Sequence, residues 1–180
     1  MTRLFLLALI TVSLIGCGGG GDGTSDVTLP GSETENLTDQ QKIAYLEDTG
    51  AIPRLDRSNS LEGVDANLDG IRDDVESFIN FNYAGIDQRN AARQFASTLQ
   101  EALLVNEEDL DAAKAVSIKI TRAVNCIYSR FDGTGKEPFD AVRDIESVTT
   151  NTKERLLQYL AFAKALDGTS SALPEGDTCE

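Results

Sequence analysis

The sequence predicts an all-α fold, a small bundle of five or six helices. Three observations predict it. Apolar residues recur at spacings of three and four from Asp73 to Leu166, the period of one helix face. No stretch alternates apolar and polar residues convincingly, as a half-buried strand would. Helix start and stop signals punctuate the chain at intervals of one helix length.

The elements follow in order. Thr38-Asp39-Gln40-Gln41 has capping-box spacing and Gly50 ends the pattern, so a short helix is expected over about 39–49, with Ile43 and Leu46 on one face. Residues 51–64 hold Pro53, Ser58, Asn59, Ser60 and Gly63 and read as a loop. Val75, Phe78 and Ile79 begin the next helix, and Ala91, Phe95, Leu99 and Leu103 stand four apart on the one after. Leu110, Ala113, Ser117, Ile120, Val124, Ile127 and Phe131 form a stripe about six turns long, with Asn106 and the acids after it as its start. Asp132-Gly133-Thr134-Gly135 breaks the chain. Phe139, Val142 and Ile145 continue it as a helix after Pro138. Asn151 with Glu154 caps the last helix. Its Leu156, Leu157, Tyr159, Leu160, Phe162 and Leu166 cover nearly all sides, which predicts a central position.

Composition excludes whole classes of function. The chain has 180 residues, 16 Lys+Arg against 30 Asp+Glu, a net charge of −14, three Cys and no His. Nucleic-acid binding through clustered Lys and Arg is excluded, because there is no basic surplus to neutralise phosphates. Mechanisms that need His, as base or as zinc ligand, are excluded as well.

The first forty residues read as targeting and tether. Arg3 precedes Leu4–Ile15, twelve residues that are apolar except for Thr11 and Ser13. That run is too short to span a bilayer and has the length of a secretory signal core. It ends in Leu14-Ile15-Gly16-Cys17, which resembles the lipobox of bacterial lipoproteins. The resemblance implies cleavage after residue 16, acylation of Cys17 and, with Gly18 rather than Asp behind it, the outer membrane of a Gram-negative bacterium. Cleavage would leave 164 residues and, with Arg3 gone, a charge of −15. An anionic chain is not held on an anionic membrane by charge, so the lipid must hold it. Residues 18–36 contain six glycines and no apolar period, and read as a flexible tether reaching about 25 Å. The expected organisation is therefore a signal peptide over 1–16, a lipidated Cys and tether over 17–36, and a helical domain over 37–180.

One motif carries chemistry. Residues 65–76 read Asp-Ala-Asn-Leu-Asp-Gly-Ile-Arg-Asp-Asp-Val-Glu and match D-x-[DN]-x-[DN]-G-x5-E at every fixed position. Ca²⁺ takes six to eight oxygens at about 2.3–2.6 Å. Asp65, Asn67 and Asp69 offer side-chain oxygens, Ile71 its carbonyl, Asp73 an oxygen directly or through water, and Glu76 two oxygens from the following helix; Gly70 permits the sharp turn. A calcium loop is thus expected ahead of the second helix. Ser58, Asn59, Ser60 and Gly63 oppose a preceding helix, and Arg72 stands where paired EF-hands carry an apolar residue. Gly-Ile-Arg-Asp-Asp instead resembles the Gly-Ile-Pro-Asp-Asp run of thrombospondin type 3 repeats, with dockerin loops a weaker likeness. Those repeats occur in tandem, whereas this chain has one copy. The metal-free alternative is a string of Asx-turns capping the helix. It would leave five carboxylates, at Asp65, Asp69, Asp73, Asp74 and Glu76, with only Arg72 among them. A single extracytoplasmic loop predicts weak affinity, about 10⁻⁴ to 10⁻³ M, and a structural role.

With Cys17 acylated, Cys126 and Cys179 remain, and two Cys in an exported chain predict one disulfide. Asp132-Gly133-Thr134-Gly135-Lys136 fails the phosphate-loop spacing and reads as a turn. The leading expectation is a non-enzymatic binding or accessory module with a protein or envelope-polymer partner. The alternatives are a carboxylate-based enzyme or enzyme inhibitor acting on cell-wall polymers, and an envelope protein that self-associates through the 110–131 stripe.

Overall fold

The computed structural model describes residues 36–170, 172 and 174–180. The expected signal peptide, Cys17 and almost all of the expected tether lie outside the described residues. Six helices follow in order: α1 Asp39–Asp48, α2 Asp73–Asn82, α3 Ile86–Leu104, α4 Leu110–Phe131, α5 Pro138–Thr149 and α6 Lys153–Ala165. The described residues contain no strand, so the fold is the all-α bundle that the periodicity predicts. No helix among them is long and apolar enough to cross a membrane.

α1 is capped as its sequence implies. Gln41 N–H donates to Thr38 Oγ1 at 3.3 Å and Thr38 N–H to Gln41 Oε1 at 2.8 Å, which satisfies two orphan donors of the first turn. α1 buries no residue and Ile43 stays exposed, so its hold on the domain is polar. Arg57 clamps Glu47 with bonds of 2.7 and 2.9 Å, and Leu55 N–H donates to the same carboxylate. Burial pushes the Glu47 carboxyl up, but Arg57 and the Leu55 N–H outweigh it and hold the group below the usual carboxylate range.

α3 is the central helix. Its stripe of Ala91, Phe95, Leu99 and Leu103 is buried as expected, and five further residues of the helix are buried with it. α3 packs against α2, α4, α5 and α6, most extensively against α4. Ala92, Ala96 and Ala102 on α3 and Ala113 and Ala123 on α4 are at most 1 % exposed. Such small residues let two helix axes approach closely. Tyr83 closes one end of the core, edge-on to Phe131 with ring centres 5.0 Å apart.

Three expectations need correction. α4 starts at Leu110, with Asp109 as its cap accepting from Ala112 N–H at 3.0 Å. Asn106 instead closes a separate turn, accepting from Glu108 N–H. The cap of α6 is Thr152, which accepts from Arg155 N–H, and Asn151 faces inward. Finally, α6 is not central. Only Arg155 and Phe162 are buried on it, while Leu156, Leu157 and Leu160 are 45–55 % exposed. A helix apolar on all sides need not be buried when the place beside the core is already filled by α3.

The disulfide forms as expected, joining Cys126 on α4 to Cys179 in the tail with Cα atoms 4.9 Å apart.

Candidate metal centre

The 65–76 loop is a closed, turn-rich structure. Asp73 N–H donates to Val64 C=O at 2.8 Å and shuts its base. Asp65, at the start, accepts from Asp69 N–H at 3.2 Å and from Gly70 N–H at 2.9 Å. Asp69 Oδ1 accepts from Ile71 N–H at 3.0 Å, and Asp73 Oδ1 reaches back to Ala66 N–H at 3.0 Å. These Asx-type bonds bend the chain inward. The bend requires positive φ at Leu68 (59°) and Gly70 (83°). Gly70 adopts that region without strain, whereas Leu68 does so at a cost.

The bend gathers three of the expected side chains. Asn67 Nδ2 lies 2.9 Å from Asp69 Oδ2 and 3.3 Å from Glu76 Oε2. A donor amide thus sits between two carboxylates, and the other half of that amide is an oxygen that rotation about its terminal torsion can present. Burial holds the Glu76 carboxyl above its usual range, and the charges of Asp69 and Asp73 add to this against the opposing Arg93. Arg93 Nε stands 3.5 Å from Glu76 Oε1. In these rotamers no three carboxylate, His or Cys side chains among the described residues converge closely enough to hold a metal by themselves. The donor set is nevertheless all oxygen, with an amide at Asn67 and a main-chain carbonyl at Ile71 supplementing the acids, which is hard-cation chemistry. Each carboxylate oxygen that accepts an N–H keeps a second lone pair. The residues therefore suit Ca²⁺ by chemistry and position along the loop.

The loop is bolted to the bundle by residues whose role the sequence did not reveal. Ile71 turns its side chain into the core and is 4 % exposed. Arg72 follows it and is fully buried. Its Nε and Nη2 each donate to Asp74 at 2.9 Å, and its guanidinium also donates to the carbonyls of Thr149 (2.9 Å) and Val148 (3.1 Å). Those carbonyls end α5, so Arg72 caps another helix with charge of the favoured sign. Asp74 is therefore turned away from the loop.

A second buried arginine extends this cluster. Arg155 donates to Asp56 C=O at 2.7 Å, to Asn151 Oδ1 at 2.8 Å and to Asp56 Oδ2 at 2.9 Å. Asn151 Nδ2 donates to Asp56 C=O, and Asp56 N–H donates to Asp74 Oδ2. The 51–64 loop is thereby stitched to α2, to α6 and to the turn that joins α5 to α6. The Ser58 N–H and hydroxyl and the Arg155 guanidinium hold the Asp56 carboxyl below the usual range, against an opposing push from burial. The available signal was Arg72 itself, a long cation where a loop of this type carries an apolar residue.

Gly63 shows how tightly the cluster is packed. Its φ is 67°, and an added Cβ would collide with Arg72 Cδ and crowd Asp56 Oδ2. Gly50 has a similar φ of 72° with nothing within 4 Å. Gly63→Ala should therefore cost at least about 1 kcal/mol more than Gly50→Ala, since only the former adds overpacking to backbone strain. Urea unfolding of the two variants checks this; equal losses would mean that Arg72 yields freely.

No protein-family model matches this chain, and no curated protein or solved structure is significantly similar to it. The functional reading rests on its own residues.

Proposed function

We propose that this protein is a lipid-anchored, calcium-stabilised helical module of the cell envelope, which binds a protein or envelope polymer rather than catalysing a reaction. The observation that carries the calcium half is the folded loop, whose bonds from Asp65, Asp69 and Asp73 curl the chain around Asn67, Asp69 and Glu76. A cation there would offset the mutual repulsion of these acids and tie the loop to α2. The lipobox supplies the anchor, and its Gly18 favours the outer membrane.

Two observations support binding over catalysis. An open depression of about 570 Å³ lies beside the loop, where Leu68, Leu104, Val105 and Val116 adjoin the polar Asp69, Ser97, Gln100 and Glu101, and Leu68 at the loop tip is 86 % exposed. Apolar surface held outward at a loop tip favours a partner. In the neighbouring cleft, Asp56, Asp73 and Asp74 are each engaged with Arg155, Ala66 N–H or Arg72, so these carboxylates have structural work.

The test is thermal unfolding of the chain, disulfide intact, in 2 mM CaCl₂, in MgCl₂ and in excess EGTA. At an affinity of about 10⁻⁴ to 10⁻³ M, calcium at that level stabilises by about 0.6–1.8 kcal/mol, a rise of about 2–6 °C. Mg²⁺, which sheds its waters reluctantly, should give little. Asp69→Ala should abolish the difference between calcium and chelator. A shift that persists in Asp69→Ala would place the cation elsewhere, and no shift in the parent chain would leave the loop a metal-free cap.

A further inference from the structure

A second cavity lies on the opposite side of α4 from the α3 interface, independent of the calcium loop. It has a volume of about 450 Å³, within the range of small-molecule sites. One wall is α4, which contributes Lys114, Ser117, Ile118 and Arg122. Their spacing of three, four and eight puts them on one helix face. The other wall is the C-terminal segment after α6, with Leu166 and Pro174 as apolar surface and the hydroxyls of Thr169 and Ser170.

The charge of this cavity runs against that of the chain. The protein has 30 acids and 16 bases, yet no acid is among the described lining residues. Among the described residues, neither Lys114 nor Arg122 has an ion-pair partner, although most other cations in the bundle do. Two cations left without an acid on so acidic a chain form a local positive patch. They stand eight residues apart, about 12 Å along the helix, with Ile118 between them. At physiological ionic strength screening acts over about 8 Å, and Lys114 and Arg122, which line the cavity, act inside it more strongly than Asp111, Asp167 and Glu175, which are near in sequence but do not line it.

The chain just beyond the far wall, Gly176 to Cys179, is tied to α4. Thr178 Oγ1 donates to the Arg122 carbonyl at 2.6 Å, Asn125 Nδ2 donates to Gly176 C=O at 3.1 Å, and Arg130 pairs with Asp177. The Cys126–Cys179 disulfide locks the same segment to α4. The far wall is thus tethered at both ends, by α6 at Leu166 and by these bonds from Gly176 onward, which lowers the ordering cost of binding.

We infer that the cavity between α4 and the C-terminal segment binds an amphipathic organic anion, a carboxylate or phosphate carried on a hydrocarbon body. The anionic group pairs with Lys114 and Arg122, the hydroxyls of Ser117 and Ser170 donate to its remaining oxygens, and the hydrocarbon lies on Ile118, Leu166 and Pro174.

The probes are decanoate, decanol and decyltrimethylammonium, each kept below its micelle-forming concentration, with a short-chain phosphatidic acid as a fourth arm. They are titrated into the full chain while backbone amide shifts are recorded, so that adsorption to the apolar N-terminus is read separately. Decanoate should give saturable shifts centred on 114–122 and on the segment after 166, and bind at least about tenfold more tightly than decanol. The cationic probe should not bind there. The Lys114→Gln/Arg122→Gln double variant should lose decanoate binding by at least about tenfold with its unfolding temperature unchanged. Lys153→Gln, a cation outside the cavity, should bind as the parent does. Tighter binding by phosphatidic acid than by decanoate identifies a lipid headgroup as the ligand, and the reverse a free fatty carboxylate. Equal affinity for decanol and decanoate, shifts that map elsewhere, or a double variant that binds like the parent would overturn the assignment.

Discussion

Arg72→Ala should destabilise the domain by about 3–5 kcal/mol, the cost of breaking a buried ion pair from one side. The guanidinium is wholly inaccessible and Asp74 is only 10 % exposed, so truncation strands a carboxylate with no cation and little water. It also leaves the Val148 and Thr149 carbonyls at the end of α5 without their donor. Arg72→Lys should lose part of this, because an ammonium keeps the charge but not the fork that meets both Asp74 oxygens. The Arg72→Ala/Asp74→Ala pair should cost clearly less than the sum of its single variants, since neither partner is then left alone. Urea unfolding measures all four chains. A loss under about 1 kcal/mol for Arg72→Ala would mean that water enters and replaces the guanidinium.

The same cluster contributes to the acid sensitivity of the fold. The Asp56 carboxyl is held below its unfolded value by Ser58 and Arg155. A depressed carboxyl stabilises above its unfolded pKa, and that contribution is lost as pH falls through the folded one. The loss should begin below about pH 4, and Asp56→Asn should flatten it.

Removing the disulfide should have an effect of similar size. Cys126 and Cys179 are 53 residues apart in sequence, and freeing so long a loop in the unfolded chain costs about 4 kcal/mol on the entropic model. The double variant Cys126→Ser/Cys179→Ser should therefore lose about 2–4 kcal/mol. Gln94, Asn125 and Arg130 still hold the tail, so the native structure survives the change. Its denaturant dependence should steepen, because the unlinked unfolded chain exposes more surface. Dithiothreitol added to the parent should reproduce the variant. Unchanged stability would mean that the tail restrains the unfolded chain little.

The helices were legible because their signals are local. Thr38 with Gln41 makes a capping box from four consecutive residues, and Pro138 opens α5 by its fixed φ. The turns of the 65–76 loop were legible for the same reason, since they depend on Asx side chains bonding two to five residues away. The disulfide followed from counting cysteines. By itself, then, the sequence determined the all-α fold class, the approximate run of five or six helices and the turn-forming loop over 65–76.

Tertiary structure alone decided which surfaces face inward. The leucines of α6 have the pattern of a core helix, but α3 occupies the centre because its alanines let α4 come close. Arg72 and Arg155 resemble surface cations in sequence, yet both are buried. Their partners, Thr149 for Arg72 and Asp56 for Arg155, lie 77 and 99 residues away, and burial of a charge is tolerable only where such partners converge. The cation-lined cavity has the same origin. Lys114 and Arg122 become a site only when the C-terminal segment, held by Cys179, folds across α4. Periodicity describes one element at a time, whereas burial and charge pairing are set by elements that meet only in the folded chain.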